Sequence, residues 1–184
     1  MFIIDYPEKE KKVAEFLDKM NNSKYFQKLL ESWDPLKWLD NEKIRELSLR
    51  DSFKKFLDSR DKYREHPKEI TLEKGARRAD LALVFKVSEN REIKDYIEFK
   101  YGLDSNNVGK LNDQIEKYYK EKVRHVYVVI LENERKEVKE ESVKELKEKY
   151  SKLRYKLKQG LGFKGIHIYI KKMRRGKNSV IKVL

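Results

Sequence analysis

Apolar residues recur along this chain at two spacings, and the change between them marks where the architecture turns. Over residues 8–32 they fall at helical intervals: Val13, Phe16, Leu17 and Met20, then Tyr25, Leu29 and Leu30. The polar triplet Asn21-Asn22-Ser23 splits this stretch into two helices, with Ser23 the expected cap of the second. "WDPLKW" (33–38) reads as a turn, because Pro35 disfavours helical geometry at Asp34. A third helix is expected to start near Asp40 or Asn41 and to carry Ile44, Leu47, Phe53, Phe56 and Leu57.

The period then shortens to two. "EITLE" (69–73), "ADLALVFKV" (79–87) and "DYIEFKY" (95–101) read as strands, joined by "KGARR" and "SEN". After the loop "GLDSNNVG", residues 110–121 form an amphipathic helix. "HVYVVIL" (125–131) is apolar throughout, as in a strand buried on both faces. Residues 134–159 read as a long charged helix with Val138, Val143, Leu146, Tyr150, Leu153 and Leu157 as its stripe. "GIHIYIKK" (165–172) and "SVIKVL" close the chain as a hairpin across "RRGKN". The order predicts an α/β fold with a mixed sheet of five or six strands. Residues 1–40 are read as a helical extension to a domain over 41–184.

Composition narrows the classes. The chain has no cysteine, which excludes disulfides, zinc–thiolate sites and iron–sulfur clusters. Its start offers neither a signal peptide nor a membrane span, so a cytosolic protein without a membrane partner is expected. The Lys/Glu-rich composition fits a heat-adapted organism. With 45 Lys+Arg against 32 Asp+Glu, the net charge of +13 favours a polyanion, above all nucleic acid, as partner.

Two acids interrupt apolar strands, and there the chemistry concentrates. Glu98-Phe99-Lys100 is one of several Glu-x-Lys triplets; others start at Glu10, Glu92, Glu134, Glu137 and Glu145. Only position 98 lies inside an apolar strand that follows another strand carrying one acid, Asp80. Glu98 and Lys100, two apart, share a sheet face. A three-residue "SEN" loop puts Asp80 opposite Glu98. A loop over 89–91 puts it opposite Lys100, and a two-residue loop turns it to the other face. In either of the first two registers two carboxylates meet, repel, and suit a hard divalent cation with oxygen ligands. A lysine beside them suits the charge that develops on a phosphoryl group.

This arrangement resembles the PD-(D/E)XK nuclease superfamily, whose Asp opens the second core strand and whose (D/E)-x-K lies on the third. The proline of that motif is Ala79 here. The resemblance implies a restriction-endonuclease-like α-βββ-α-β core and Mg²⁺- or Mn²⁺-dependent hydrolysis of DNA. It implies Asp80, Glu98 and the Phe99 carbonyl as metal ligands, with Lys100 catalytic. A further acid on the first core helix completes the metal site, Glu46 with Glu42 as competitor. Gln114 and Tyr118 match the Gln-x-x-x-Tyr of exonuclease-like members, and residues four apart share a helix face.

Lys74, Arg77 and Arg78 before Asp80, Lys110 on the next helix, and Arg174 and Arg175 in the last turn are the candidate backbone-phosphate contacts. His66, His125 and His167 are read as structural, and Trp33 and Trp38 as seals at a core edge. Two competing readings stand beside the nuclease. One is the same fold used only to grip nucleic acid. The other is an interaction protein that forms a homodimer through the 134–159 stripe.

Overall fold

The computed structural model describes residues 11, 15, 19, 22–39, 43–61, 70–74, 80–88, 91–119, 123–157, 165–174 and 177–184. Among these, α1 spans Ser23–Ser32, a 3₁₀ turn Pro35–Trp38, and α2 Glu46–Asp61. Then come β1 (Ile70–Lys74), β2 (Leu81–Ser88), β3 (Arg91–Tyr101), α3 (Ser105–Tyr119), β4 (Val123–Glu132), α4 (Glu140–Leu157), β5 (Gly165–Arg174) and β6 (Lys177–Lys182). The six strands form one sheet in chain order. β1, β2 and β3 run antiparallel, β3–β4–β5 parallel, and β6 returns antiparallel to β5. The α/β class and the mixed sheet agree with the periodicity.

Several boundaries move. Asn22, not Ser23, caps α1: its side chain accepts from the backbone N–H groups of Lys24 and Tyr25. The expected helix at 8–20 lies mostly outside the described residues; Lys11, Glu15 and Lys19 are helical and exposed. α2 starts at Glu46 rather than near Asp40, with Arg45 N–H bonded to Ser48 Oγ at 2.7 Å. α3 starts at Ser105, inside the stretch read as loop, because Asp104 Oδ1 accepts from Asn107 N–H at 2.9 Å and opens the helix earlier. α4 starts at Glu140 rather than 134. The backbone ahead of it is held elsewhere: Val138 bridges to Leu103, and Asn133 pairs with Lys136.

Strand alternation splits the core into two layers. One joins Leu81, Leu83, Ile97, Phe99, Tyr127, Val129 and Tyr169 to α1 and α2. Here the helical extension packs on the sheet: Phe26 stacks on Tyr127 at 4.6 Å, and Trp33 meets Phe53 and Phe99 edge-on at 4.9 and 5.7 Å. Trp33 is fully buried, and its indole N–H donates to Ser52 Oγ at 3.0 Å. His125 and His167 lie on adjacent strands with Nδ1 and Nε2 3.1 Å apart; His66 falls outside the described residues.

The other layer joins Ala82, Val84, Tyr96, Val126, Val128, Ile130, Ile168 and Ile170 to α3 and α4. Leu146 and Tyr150 of the α4 stripe are buried there, so these two positions face the sheet rather than a second copy. No described helix is long and apolar enough to cross a membrane.

Candidate active site

The β2–β3 ladder decides whether the two acids meet. The hairpin closes on Ser88 opposite Arg91, the two-residue geometry that by itself would turn Asp80 to the wrong face. A register shift between Lys86 and Ser88 leaves Val87 as an extra residue on β2 and restores the pairing that a three-residue loop predicts. From Lys86 opposite Glu92 the ladder runs unbroken to Leu81 opposite Ile97. Asp80, one residue before β2, therefore stands across from Glu98.

The contacts follow from that register. Asp80 N–H donates to Glu98 Oε1 at 3.3 Å, and Phe99 N–H donates to Asp80 Oδ2 at 2.8 Å. Glu98 is fully buried, and Asp80 is half-buried at the rim. Tyr118, on the inner face of α3 and fully buried, donates its phenol O–H to Glu98 Oε1. Gly102 makes this approach workable. At φ +75° it ends β3, its N–H bonds Leu131 O at 2.8 Å, and the chain turns toward α3. A side chain there would crowd Glu137 O and Lys136 Cβ, both 3.2 Å from the position of a Cβ.

Glu98 Oε2 is buried without a hydrogen-bond partner. Its nearest cation is Lys100 Nζ at 3.8 Å, and the same ammonium lies 3.6 Å from Glu46 Oε2. Burial pushes the Glu98 carboxyl up to about 8, and the Asp80 charge adds to this. The Tyr118 hydrogen bond and Lys100 act the other way without cancelling it. The Tyr118 phenol is itself pushed far up, first by burial and then by the Glu98 charge, so it serves as a donor throughout the ordinary pH range.

Asp80, Glu98, Lys100, Glu46 and Tyr118 are thus drawn into one connected cluster. Gln114 lies one turn before Tyr118, with Oε1 buried and lacking a hydrogen-bond partner. Tyr118, which shares that helix face, bonds Glu98. Phe99 contributes its backbone N–H to Asp80 while its ring fills the opposite layer. Lys110 is exposed on α3. Lys74 and Arg174 end β1 and β5. The Lys74 and Arg174 side chains, and Glu42, Arg77, Arg78 and Arg175 altogether, lie outside the described residues.

The donor set suits a hard divalent cation: two carboxylates facing each other across a ladder, one bearing an orphaned buried oxygen. Among the described residues no three His, Asp or Glu converge as a complete ligand group. Glu46 turns toward Lys100 rather than toward the acid pair. No family model, characterised protein or solved structure matches this chain.

Proposed function

We propose that this protein is a metal-dependent nuclease that hydrolyses DNA phosphodiester bonds, built on a restriction-endonuclease-like α-βββ-α-β core. The observation that carries this reading is the Asp80–Glu98 pair with Lys100 beside it, Glu98 and Lys100 buried on one sheet face and Glu98 Oε2 without a hydrogen-bond partner. A buried acid without compensation is costly. A fold that spends a bulge at Val87 to bring two acids together, and a tyrosine to fix one of them, gains nothing for its core.

Asp80, Glu98 and the Phe99 carbonyl would hold Mg²⁺ or Mn²⁺, with Glu46 completing the set. When bound, such a cation lowers the pKa of water and offsets charge on a phosphoryl oxygen. The chain's own groups do the rest. Tyr118 fixes Glu98 Oε1 and so directs Oε2 into the site. Lys100 supplies positive charge where the pentavalent phosphorus gathers negative charge. Gln114, with an unsatisfied amide oxygen beside this face, orients the bound strand. Lys74, Arg77, Arg78, Lys110, Arg174 and Arg175 hold the DNA backbone without reading sequence. The test is cleavage of plasmid and oligonucleotide DNA with Mg²⁺ or Mn²⁺. Cleavage that stops in chelator supports the reading. Salt-sensitive binding with no cleavage under any metal would make the chain a binding module instead.

A further inference from the structure

Lys100 holds an unusual post. Its side chain is 7% exposed, and its ammonium stands between Glu98 Oε2 at 3.8 Å and Glu46 Oε2 at 3.6 Å. Both distances are those of ion pairs too long for hydrogen bonds. One of the two oxygens it spans, Glu98 Oε2, is the one that would face a cation. Glu98 Oε1 is already taken by Tyr118 and by the Asp80 N–H, which leaves Oε2 as the free oxygen. Glu46 reaches the cluster only through Lys100, and no three acids converge among the described residues. The lysine therefore occupies the place of the missing positive charge.

We infer that Lys100 is a built-in competitor for the divalent cation. This rests on the reading of Asp80 and Glu98 as a cation site. In the metal-free protein the ammonium fills the gap between Glu46 and Glu98; these oxygens turn to a cation only when it withdraws. The exchange imposes an order on the site. Lys100 is tied up while the site is empty, and its charge becomes available to a phosphate once the site is loaded. The same residue thus lowers cation affinity and keeps the unloaded site inert. The contacts are loose and Glu46 is partly solvated, so each is weak, worth at most about fivefold, and the two together roughly tenfold.

The test is Mn²⁺ affinity, measured by calorimetry on the full chain without DNA, so that it does not depend on cleavage. Lys100→Met keeps the stem and removes the charge; it is expected to bind Mn²⁺ roughly tenfold more tightly than the parent. Lys117→Met, which removes an exposed charge one residue from Tyr118, controls for the general loss of a positive field and is expected to change affinity less than about twofold. Unchanged or weaker binding by Lys100→Met, or an equal gain in Lys117→Met, overturns the inference. A second measurement uses the unmutated chain: the ¹⁵Nζ resonance of Lys100 is expected to move on addition of Mg²⁺ with the midpoint of binding, and a resonance that stays put overturns the inference. Failure of the underlying reading looks different. In that case Asp80→Asn and Glu98→Gln bind Mn²⁺ as the parent does, or neither the parent nor Lys100→Met binds it at all.

Discussion

Glu98 and Lys171 are ionisable side chains fully buried on the same sheet, and they are treated in opposite ways. Lys171 on β5 is compensated on every side. Its Nζ donates to Leu30 O at 2.7 Å near the C-terminal end of α1, where helix carbonyls favour a cation. It lies 5.9 Å from the centre of the Trp33 ring, and Glu31 and Asp34 add favourable charge. Burial still lowers its pKa to about 8, but the group is placed as a fastening for α1. Glu98 on β3 faces another acid, holds an oxygen without a hydrogen-bond partner, and has its nearest cation at only 3.8 Å. The first pattern is what a fold does with a charge it needs for packing. The second is what the proposed cation site would require.

Substitutions should separate the two. Lys171→Ala is expected to destabilise by about 3 kcal/mol, since it opens a cavity and strands the Leu30 carbonyl. Chemical denaturation reads this out, and a loss below about 1 kcal/mol would end the claim that Lys171 fastens α1. Gln114→Ala belongs to the other region. It is expected to slow cleavage about 10²-fold if it positions the bound strand, with DNA affinity and its salt dependence unchanged. Equal turnover would remove Gln114 from the site.

Glu98→Gln should behave opposite to Lys171→Ala. In chelator above about pH 8, where the folded Glu98 carboxyl is ionised, it is expected to raise stability by about 1 kcal/mol, because it removes acid–acid repulsion and a costly buried charge. A clear loss of stability would mean that Glu98 is a structural group.

The pH dependence of the metal-free protein carries opposite signs at the two places. Glu98 keeps its proton up to about 8 when folded but releases it near 4.5 when unfolded. The folded state therefore binds more protons between these values, and stability falls as pH rises from about 4.5 to about 8. Lys171 loses its proton near 8 when folded and near 10.5 when unfolded, so its contribution rises over that interval. Denaturant midpoints across pH in Glu98→Gln and Lys171→Met test each arm. The first variant should lose the decline and the second the rise. The smallest effect is Lys171→Met at neutral pH. It keeps the stem and gives up one hydrogen bond, for about 1 kcal/mol.

The apolar alternation made the strands and their faces legible, and the same parity set Glu98 and Lys100 together. It could not choose among three hairpin registers, because a bulge adds a residue without a hydrophobic signature; Val87 looks like any strand valine. The role of Tyr118 was half visible. Helical spacing placed it with Gln114, but the depth of its ring, which brings the phenol to Glu98, depends on how α3 packs. In the sequence Lys171 is one of two adjacent lysines that lead into Met173-Arg174-Arg175. Period two does put it on the face of Tyr169 and Met173, an apolar position, and that signal was available. What covers it, the end of α1, is a contact 141 residues away in sequence that local pattern does not carry. The start of α4 was misplaced because charged residues 134–139 suit a helix locally, while their backbone pairs with Leu103 and within its own turn.

The central claim is that Asp80 and Glu98 form a cation site for phosphodiester hydrolysis, and a single comparison tests it most directly. Wild-type protein and Asp80→Asn, matched for folding by circular dichroism, are incubated with linear, single-stranded, branched and closed-circular DNA in Mg²⁺, in Mn²⁺ and in chelator. Cleavage by the wild type in at least one metal, abolished in chelator and lowered at least about 10³-fold in Asp80→Asn, is the predicted result. Cleavage by Asp80→Asn at the wild-type rate, or no cleavage by the wild type under any of these conditions, would contradict it.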